Sequence, residues 1–344
     1  MLKKIIKYIA GFFLVILAAA VLLLAYFNFP VSEENKDAQL GVTFSSRYAS
    51  DIGLDWKEAY LAMLEDLNIK KIRIPVYWDL AEKEDGAYDF ADVDWQLQEA
   101  RKKNTEIILV VGQKVPRWPE CFIPNWVGDD AKNRQEKLSR FINIVVERYK
   151  SNPEIKYWQV ENEPFLSFGI CPEFDKNFFD REIALVKRLD PSREVIVTAS
   201  GEISIWSRSA KRGDILGTTL YRTIWKEGIG YFDYPIGPRF FHLKYFISKL
   251  LTGNSRAFII ELQGEPWISG YTTNGPLEEQ FKSMNAEKLK ENVSFARKVG
   301  FPEIYLWGVE WWYWLKVEKS HPELWETAKE LFAQNRVDQQ SAPE

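Results

Sequence analysis

An α/β fold closed into a (β/α)8 barrel is what the body of this chain predicts, on three observations. Eight short apolar runs alternate with amphipathic or helical stretches between residues 39 and 336. The runs are unbroken Val/Ile-rich segments, as in 106–112 and 193–199, the pattern of strands covered on both faces. No glycine-rich phosphate loop follows the first run, which argues against the runner-up, a doubly wound open sheet. The length of 344 residues, 46% of them hydrophobic, suits one large core.

In order, residues 40–44 predict the first strand and 55–67 a helix with Ala59, Met63 and Leu67 on its apolar face. Strand 71–75 precedes helix 92–103. Strand 106–112 precedes the long helix 130–149, whose stripe includes Leu138, Phe141, Ile142, Val145 and Tyr149. Strand 156–160 ends in Glu161-Asn162-Glu163-Pro164, where proline stops the ladder. Helix 178–189, strand 193–199 and a short helical turn near 204–211 follow. Strand 214–220 leads through a long aromatic loop to helix 239–251. Strand 257–260, helix 285–299, strand 303–307 and helix 322–333 complete the body, leaving 337–344 as a frayed tail.

Ahead of the barrel domain (39–336) lie a basic flank (1–7), an apolar run (8–27) and a polar linker (28–38). Twenty uncharged residues span roughly 30 Å as a helix, one bilayer core. Lys3, Lys4 and Lys7 precede the run, and Glu33, Glu34 and Asp37 follow it. The N-terminus is therefore expected in the cytoplasm, with the barrel extracytoplasmic on a single-pass anchor. The run's length, with no small-x-small site after it, favours an anchor over a cleaved leader. A net charge of −4 gives no reason to expect nucleic acid. Fourteen Trp and fifteen Tyr are many for a soluble enzyme and hint at carbohydrate, against plain core packing.

In such barrels the working groups sit at the C-terminal ends of the strands. Those ends collect Arg73 with Tyr77-Trp78, Gln113 with Trp118, Glu161-Asn162-Glu163, Glu202, Tyr221-Arg222, Glu261 with Gln263 and Glu265, and Trp307 with Glu310-Trp311-Trp312. Two separated carboxylates at one rim, without a metal, match glycosidic bond cleavage: one acid protonates the leaving oxygen, while the other attacks the anomeric carbon or activates water. Glu163 ends the fourth strand and Glu261 the seventh. Side-chain alternation leaves Glu161 a rival to Glu163. Glu265 rivals Glu261 less closely, because it lies beyond a glycine. Trp118, Trp126, Trp225, Trp267, Trp311 and Trp312 are candidates for sugar stacking, about half of them expected in the core. Cys121 and Cys171 follow adjacent strands, so a disulfide between them is geometrically plausible.

Asn162-Glu163-Pro164 closing strand four and Glu261 closing strand seven resemble the pattern of clan A retaining glycoside hydrolases, nearest to the cellulase/mannanase and β-galactosidase-like families. Arg73, the Gly112…Pro116-x-Trp118 stretch, Tyr221 and Trp307 match further positions. The resemblance spans residues 40–333. It implies Glu163 as general acid/base, Glu261 as nucleophile, Asn162 on the sugar 2-hydroxyl, Arg73 and Tyr221 keeping Glu261 ionised, and Trp307 as a stacking platform. Trp118, Trp78 and Glu265 are further substrate-binding candidates. Trp158 and Trp126 are expected to crowd Glu163 and raise its pKa. The chain departs from many clan members in having only two histidines, His242 and His321, both read as structural.

The function expected is a membrane-anchored, monomeric retaining glycoside hydrolase acting on a β-linked oligo- or polysaccharide, with no cofactor and no metal. The alternatives are a non-catalytic carbohydrate-binding barrel and a transglycosylase remodelling a cell-surface glycan.

Overall fold

The computed structural model describes residues 2–341, with side chains from 4 to 339. Met1, the side chain of Lys3 in the basic flank, and residues 342–344 of the expected tail lie outside the described residues. The chain opens with helix α1, Leu2–Phe27. Lys4–Phe27 is long and apolar enough to cross a membrane, and none of its most apolar stretch is buried in the protein.

Eight parallel strands then close into a ring. They are β1 (Gln39–Thr43), β2 (Lys71–Pro75), β3 (Glu106–Val111), β4 (Ile155–Val160), β5 (Glu194–Ala199), β6 (Ile215–Leu220), β9 (Ala257–Gln263) and β10 (Glu303–Trp307). β1 closes the barrel by pairing with both β2 and β10. The two remaining strands, β7 (Thr223–Lys226) and β8 (Gly230–Asp233), form an antiparallel hairpin within the aromatic loop after β6. That hairpin was not foreseen, because Trp225 and its neighbours read as loop.

The outer helices are α2 (Ser46–Asp51), α3 (Trp56–Glu65), α4 (Trp78–Ala81), α5 (Ala91–Lys102), α6 (Ala131–Tyr149), α7 (Lys176–Leu189), α8 (Ser207–Ala210), α9 (Pro238–Thr252), α10 (Leu277–Ser283), α11 (Ala286–Val299), α12 (Val309–Glu318) and α13 (Glu323–Ser341). Side-chain caps set several starts: Asp55, Asp130, Asp175 and Asn285 each accept N–H groups of the first turn. The short α2, α4 and α10 and the whole of α12 fall where loops were expected.

The barrel interior is filled from below by Ile108, Tyr157, Ile196, Ile215, Phe258, Ile260 and Tyr305. With Phe258 and Ile260 facing inward, strict alternation would turn Glu261 outward. The pairing of β9 slips by one residue against both β6 and β10 at this level. That bulge returns Glu261 to the interior, a common use of an extra residue beside a site.

The expected frayed tail is corrected over 337–341, where α13 continues. Asn335 on that helix accepts from Leu40 N–H at 3.0 Å and donates to the Ala38 carbonyl at 2.6 Å, both buried. It thereby satisfies backbone groups at the start of β1, ahead of Val42 where pairing with β2 begins. Asn335→Ala leaves a buried donor and acceptor unpaired, and urea denaturation is expected to show a loss of roughly 2–4 kcal/mol.

Candidate active site

Arg73 on β2 stands at the centre of the mouth, with its side chain 0% exposed. Nε donates to Gln159 Oε1 at 2.8 Å, one Nη to Glu261 Oε1 at 2.7 Å, and the other to Asn162 Oδ1 at 2.7 Å. A buried guanidinium is tolerated only when so paired. One side chain thus ties β2, β4 and β9 together. Tyr221, just beyond β6, donates its phenol to the other Glu261 oxygen at 3.2 Å. Burial and the nearby Glu261, Glu265 and Glu163 push the Tyr221 pKa well up, so its proton stays in place as a donor.

β4 ends in a distorted segment: Glu161 has φ +57° and Glu163 φ +43°, a left-handed backbone that costs non-glycine residues of the order of 1–3 kcal/mol each. The distortion separates the two rival acids. The Glu161 carboxylate accepts the N–H groups of Gln113 at 3.0 Å and Lys114 at 2.7 Å. It fills the space above Gly112, whose added Cβ would meet it at 2.6 Å, at a φ of +135°. Behind it lies the buried Glu182 carboxyl on α7, whose pKa burial and Glu161 raise strongly, so that Glu182 carries the proton between them. Glu161 therefore braces the β3 loop against α7.

Glu163 turns into the pocket. Its N–H donates to Thr198 Oγ1 at 2.7 Å, and Thr219 Oγ1 donates to its carboxyl at 3.4 Å. Its pKa is raised well above the ordinary value by burial first, then by the charges of Glu261 and Glu120. The expected tryptophan neighbours are not the cause. Trp158 points outward and donates to Asp190 at 2.9 Å, and Trp126 donates to the Glu82 carbonyl at 2.9 Å.

One acid missed in the sequence, Glu120, and one read only as a strand-end residue, Glu202, complete the cluster. Glu120, at φ +76°, accepts from Asn162 Nδ2 at 3.3 Å, and burial with the Glu261 charge raises its pKa to about 8. Glu202 accepts from Tyr221 N–H at 2.9 Å and is raised by burial to about 7. Each sits in a loop, where no periodicity marks the direction of a side chain.

Across the mouth, Arg117 (φ +91°) is sandwiched between the rings of Tyr48 at 3.9 Å and Trp307 at 4.1 Å. It donates to Glu265 at 2.5 Å and to Glu310 at 2.6 Å. Trp307 donates to the same Glu265 oxygen at 2.7 Å, while the other Glu265 oxygen is buried with no hydrogen-bond partner. Trp307 is thus at the mouth, but one of its faces carries Arg117.

The aromatic candidates divide. Trp118 is 50% exposed beside Phe168, which leads through Trp267 to Tyr221. Trp225 lies half-buried on the β7–β8 hairpin. Trp78 is corrected to the core: it is fully buried, stacked with Phe141, and donates to Glu82 at 2.7 Å. Trp311 and Trp312 are also core, donating to Gln280 and to the Gly264 carbonyl. Cys121 and Cys171 form a disulfide that joins the Trp118 loop to the loop after β4. His242 faces the Lys298 and Val299 carbonyls and His321 packs against Phe281, so neither reaches the mouth.

An acid whose folded pKa is raised, as Glu120's is from about 4.5 to about 8, contributes stability fully present below about pH 4.5 and lost as pH rises through 8. Glu120→Gln has no charge to bury. Its melting temperature is expected to exceed that of the wild type at pH 9, and the advantage to vanish by pH 5, in parallel thermal scans.

Residues 67–182 match the family model described as glycosyl hydrolase family 10, a stretch that includes Arg73, Trp118 and Glu163 but ends before Glu261. β-Galactosidase BgaA of Clostridium cellulovorans is 20% identical over 168 residues, 42% of this chain and 25% of that one. Endoglucanase H of Acetivibrio thermocellus is 23% identical over 167 residues, 46% of this chain and 17% of that one. The chain thus spans a quarter or less of the length of these relatives. Among solved structures, a GH5_18 protein of Bifidobacterium longum superposes with a TM-score of 0.62 at 15% identity, over 89% of this chain and 80% of that one. An exo-β-1,4-mannosidase of an Opitutaceae bacterium gives 0.58 at 13%, over 89% and 61%. The β-galactosidase of Bacillus circulans gives 0.60 at 13%, over 87% and 56%. The family match, the curated relatives and the shared barrel support the resemblance to clan A glycoside hydrolases that Asn162-Glu163-Pro164 and Glu261 carry.

Proposed function

We propose that this chain is a retaining glycoside hydrolase that cleaves a β-glycosidic bond of an extracytoplasmic glycan while α1 holds it at the membrane. One contrast carries the reading: Glu261 is gripped by Arg73 and Tyr221, while Glu163, in the same charge cluster, is pushed toward its protonated form.

In this reading Glu163 donates its proton to the glycosidic oxygen as the bond to the anomeric carbon breaks. Glu261 attacks that carbon from the opposite face and forms a covalent glycosyl ester. Departure of the aglycone leaves Glu163 ionised. It then takes a proton from water, whose oxygen attacks the anomeric carbon and frees Glu261. Asn162, fixed by Arg73, is available to the sugar 2-hydroxyl through its amide. Trp307, and Trp118 further out, offer ring faces to sugar. The unpartnered Glu265 oxygen offers an acceptor for a substrate hydroxyl.

The solved neighbours include a mannosidase and β-galactosidases, so aryl β-mannosides, β-galactosides, β-glucosides and β-xylosides are the first substrates to test. Glu261→Ala is expected to lose activity by at least about 10³-fold and to regain it with azide, releasing a glycosyl azide of inverted configuration. Glu163→Gln is expected to lose about 10²–10⁴-fold on glycosides with poor leaving groups, and much less on activated aryl glycosides. The proton on Glu163 is lost as pH rises through its raised pKa, so kcat/KM of the wild type is expected to fall on the alkaline side. No azide product from Glu261→Ala, alongside an active wild type, would contradict the assigned nucleophile. Carbohydrate binding without turnover on any of these substrates would favour the non-catalytic alternative.

A further inference from the structure

Helix α9 presents an apolar face that no described part of the protein covers. Phe246, Ile247, Leu250 and Leu251 are 61%, 45%, 74% and 67% exposed. Their spacing, continued back to Leu243, gives one stripe along the helix. The opposite face is anchored in the barrel through Phe241, Ser248 and Tyr245, the last against Phe301. Nearby, Lys244 donates to the Gly201 carbonyl and holds the loop that carries Ile203 and Ile205, both more than half exposed. Exposed large side chains gathered in this way mark a contact surface rather than scattered surface apolarity.

The charge and the position of α9 indicate what covers it. The helix has Arg239, His242, Lys244 and Lys249 and no acidic residue, in a chain whose net charge is −4. Its first turn is packed on the end of α1. Phe27 meets Phe240 edge-on at 5.3 Å, Asn28 Nδ2 donates to the Pro235 carbonyl at 3.0 Å, and Arg239 Nε donates to the Phe29 carbonyl at 3.3 Å. Gly237 lies so close to α1 that an added Cβ would stand 2.3 Å from the Phe27 carbonyl. The only described helix apolar enough to span a bilayer therefore emerges beside the described helix with this basic, apolar-faced character.

We propose that α9 is an interfacial helix, its Phe246/Ile247/Leu250/Leu251 face lying in the surface of an anionic bilayer beside the span formed by α1. The proposal rests on the reading of α1 as a membrane anchor. A basic amphipathic helix with aromatic and leucine side chains on one face is the chemistry that lies in a headgroup layer. Because the strand–loop segment before α9 carries Tyr221, such a contact also fixes the attitude of the sugar-facing mouth to the membrane.

The test uses the full chain in vesicles of phosphatidylcholine and phosphatidylglycerol. Both native cysteines are in the disulfide, so a cysteine introduced at one position takes an environment-sensitive fluorophore there. Phe246→Cys and Leu250→Cys are compared with Lys102→Cys on α5, which follows β2, four strands around the barrel from β6. Brominated acyl chains are expected to quench the 246 and 250 labels about threefold or more beyond the label at 102. Equal quenching at all three positions, with the chain still resisting an alkaline wash, overturns the proposal and leaves the anchor intact. Labels at 246 and 250 shielded from both lipid and aqueous quenchers also overturn it, in favour of a second copy of the chain on this face. Release of the chain by the alkaline wash removes the anchor and the proposal with it.

Discussion

The site depends on the burial of one cation. Arg73 is fully enclosed, and its donors reach Gln159, Asn162 and Glu261, so three strands must hold a single register for the charge to be satisfied. The slip in β9 belongs to the same constraint. Without it Ile260 would keep its inward place while Glu261 faced the helices, and the guanidinium would lose its one carboxylate. Breaking a buried pair from one side typically costs about 3–5 kcal/mol, because an uncompensated charge remains. Fold and site are therefore one electrostatic arrangement.

Around that pair the protein gathers acids that are not paired with cations. Glu163, Glu120 and Glu202 are buried near one another, and each is pushed toward its neutral form by burial before any other cause. Glu161 and Glu182 repeat the pattern one layer further out. Such a cluster is destabilising at alkaline pH, and the backbone adds to the cost with positive φ at Arg117, Glu120, Glu161 and Glu163. The mouth combines buried acids with four of the seven described non-glycine residues at positive φ, which fits a region selected for chemistry rather than stability.

Much of this was legible. Continuous Val/Ile runs such as 106–111 gave the strands because both their faces are covered, and the helix starts expected at Asp55, Asp130 and Asn285 coincide with residues that the structure shows capping α3, α6 and α11. Glu163, Glu261, Arg73 and Tyr221 fell at strand ends, where a barrel converges. What stayed hidden depended on local backbone irregularity or on contacts distant in sequence. Alternation could not separate Glu161 from Glu163, because both lie past the point where regular pleating stops. Glu120 and Arg117 sit in a loop whose course is fixed by a disulfide and by ring stacking, so nothing periodic announces them. Trp78 and Trp311 looked like rim residues because they follow strands, but each opens or lies within a helix that folds it back into the core.

The Glu163 carboxyl is pushed toward its protonated form by burial and by Glu261 and Glu120, which share its pocket. Carboxyl ¹³C NMR of the glutamate-labelled chain, with the Glu163 resonance assigned by its loss in Glu163→Gln, reads that proton directly. The expected result is a Glu163 midpoint well above the ordinary carboxylate range, moving down when Glu261 is changed to Gln. A Glu163 midpoint in the ordinary carboxylate range, or one that ignores the change at 261, would contradict it.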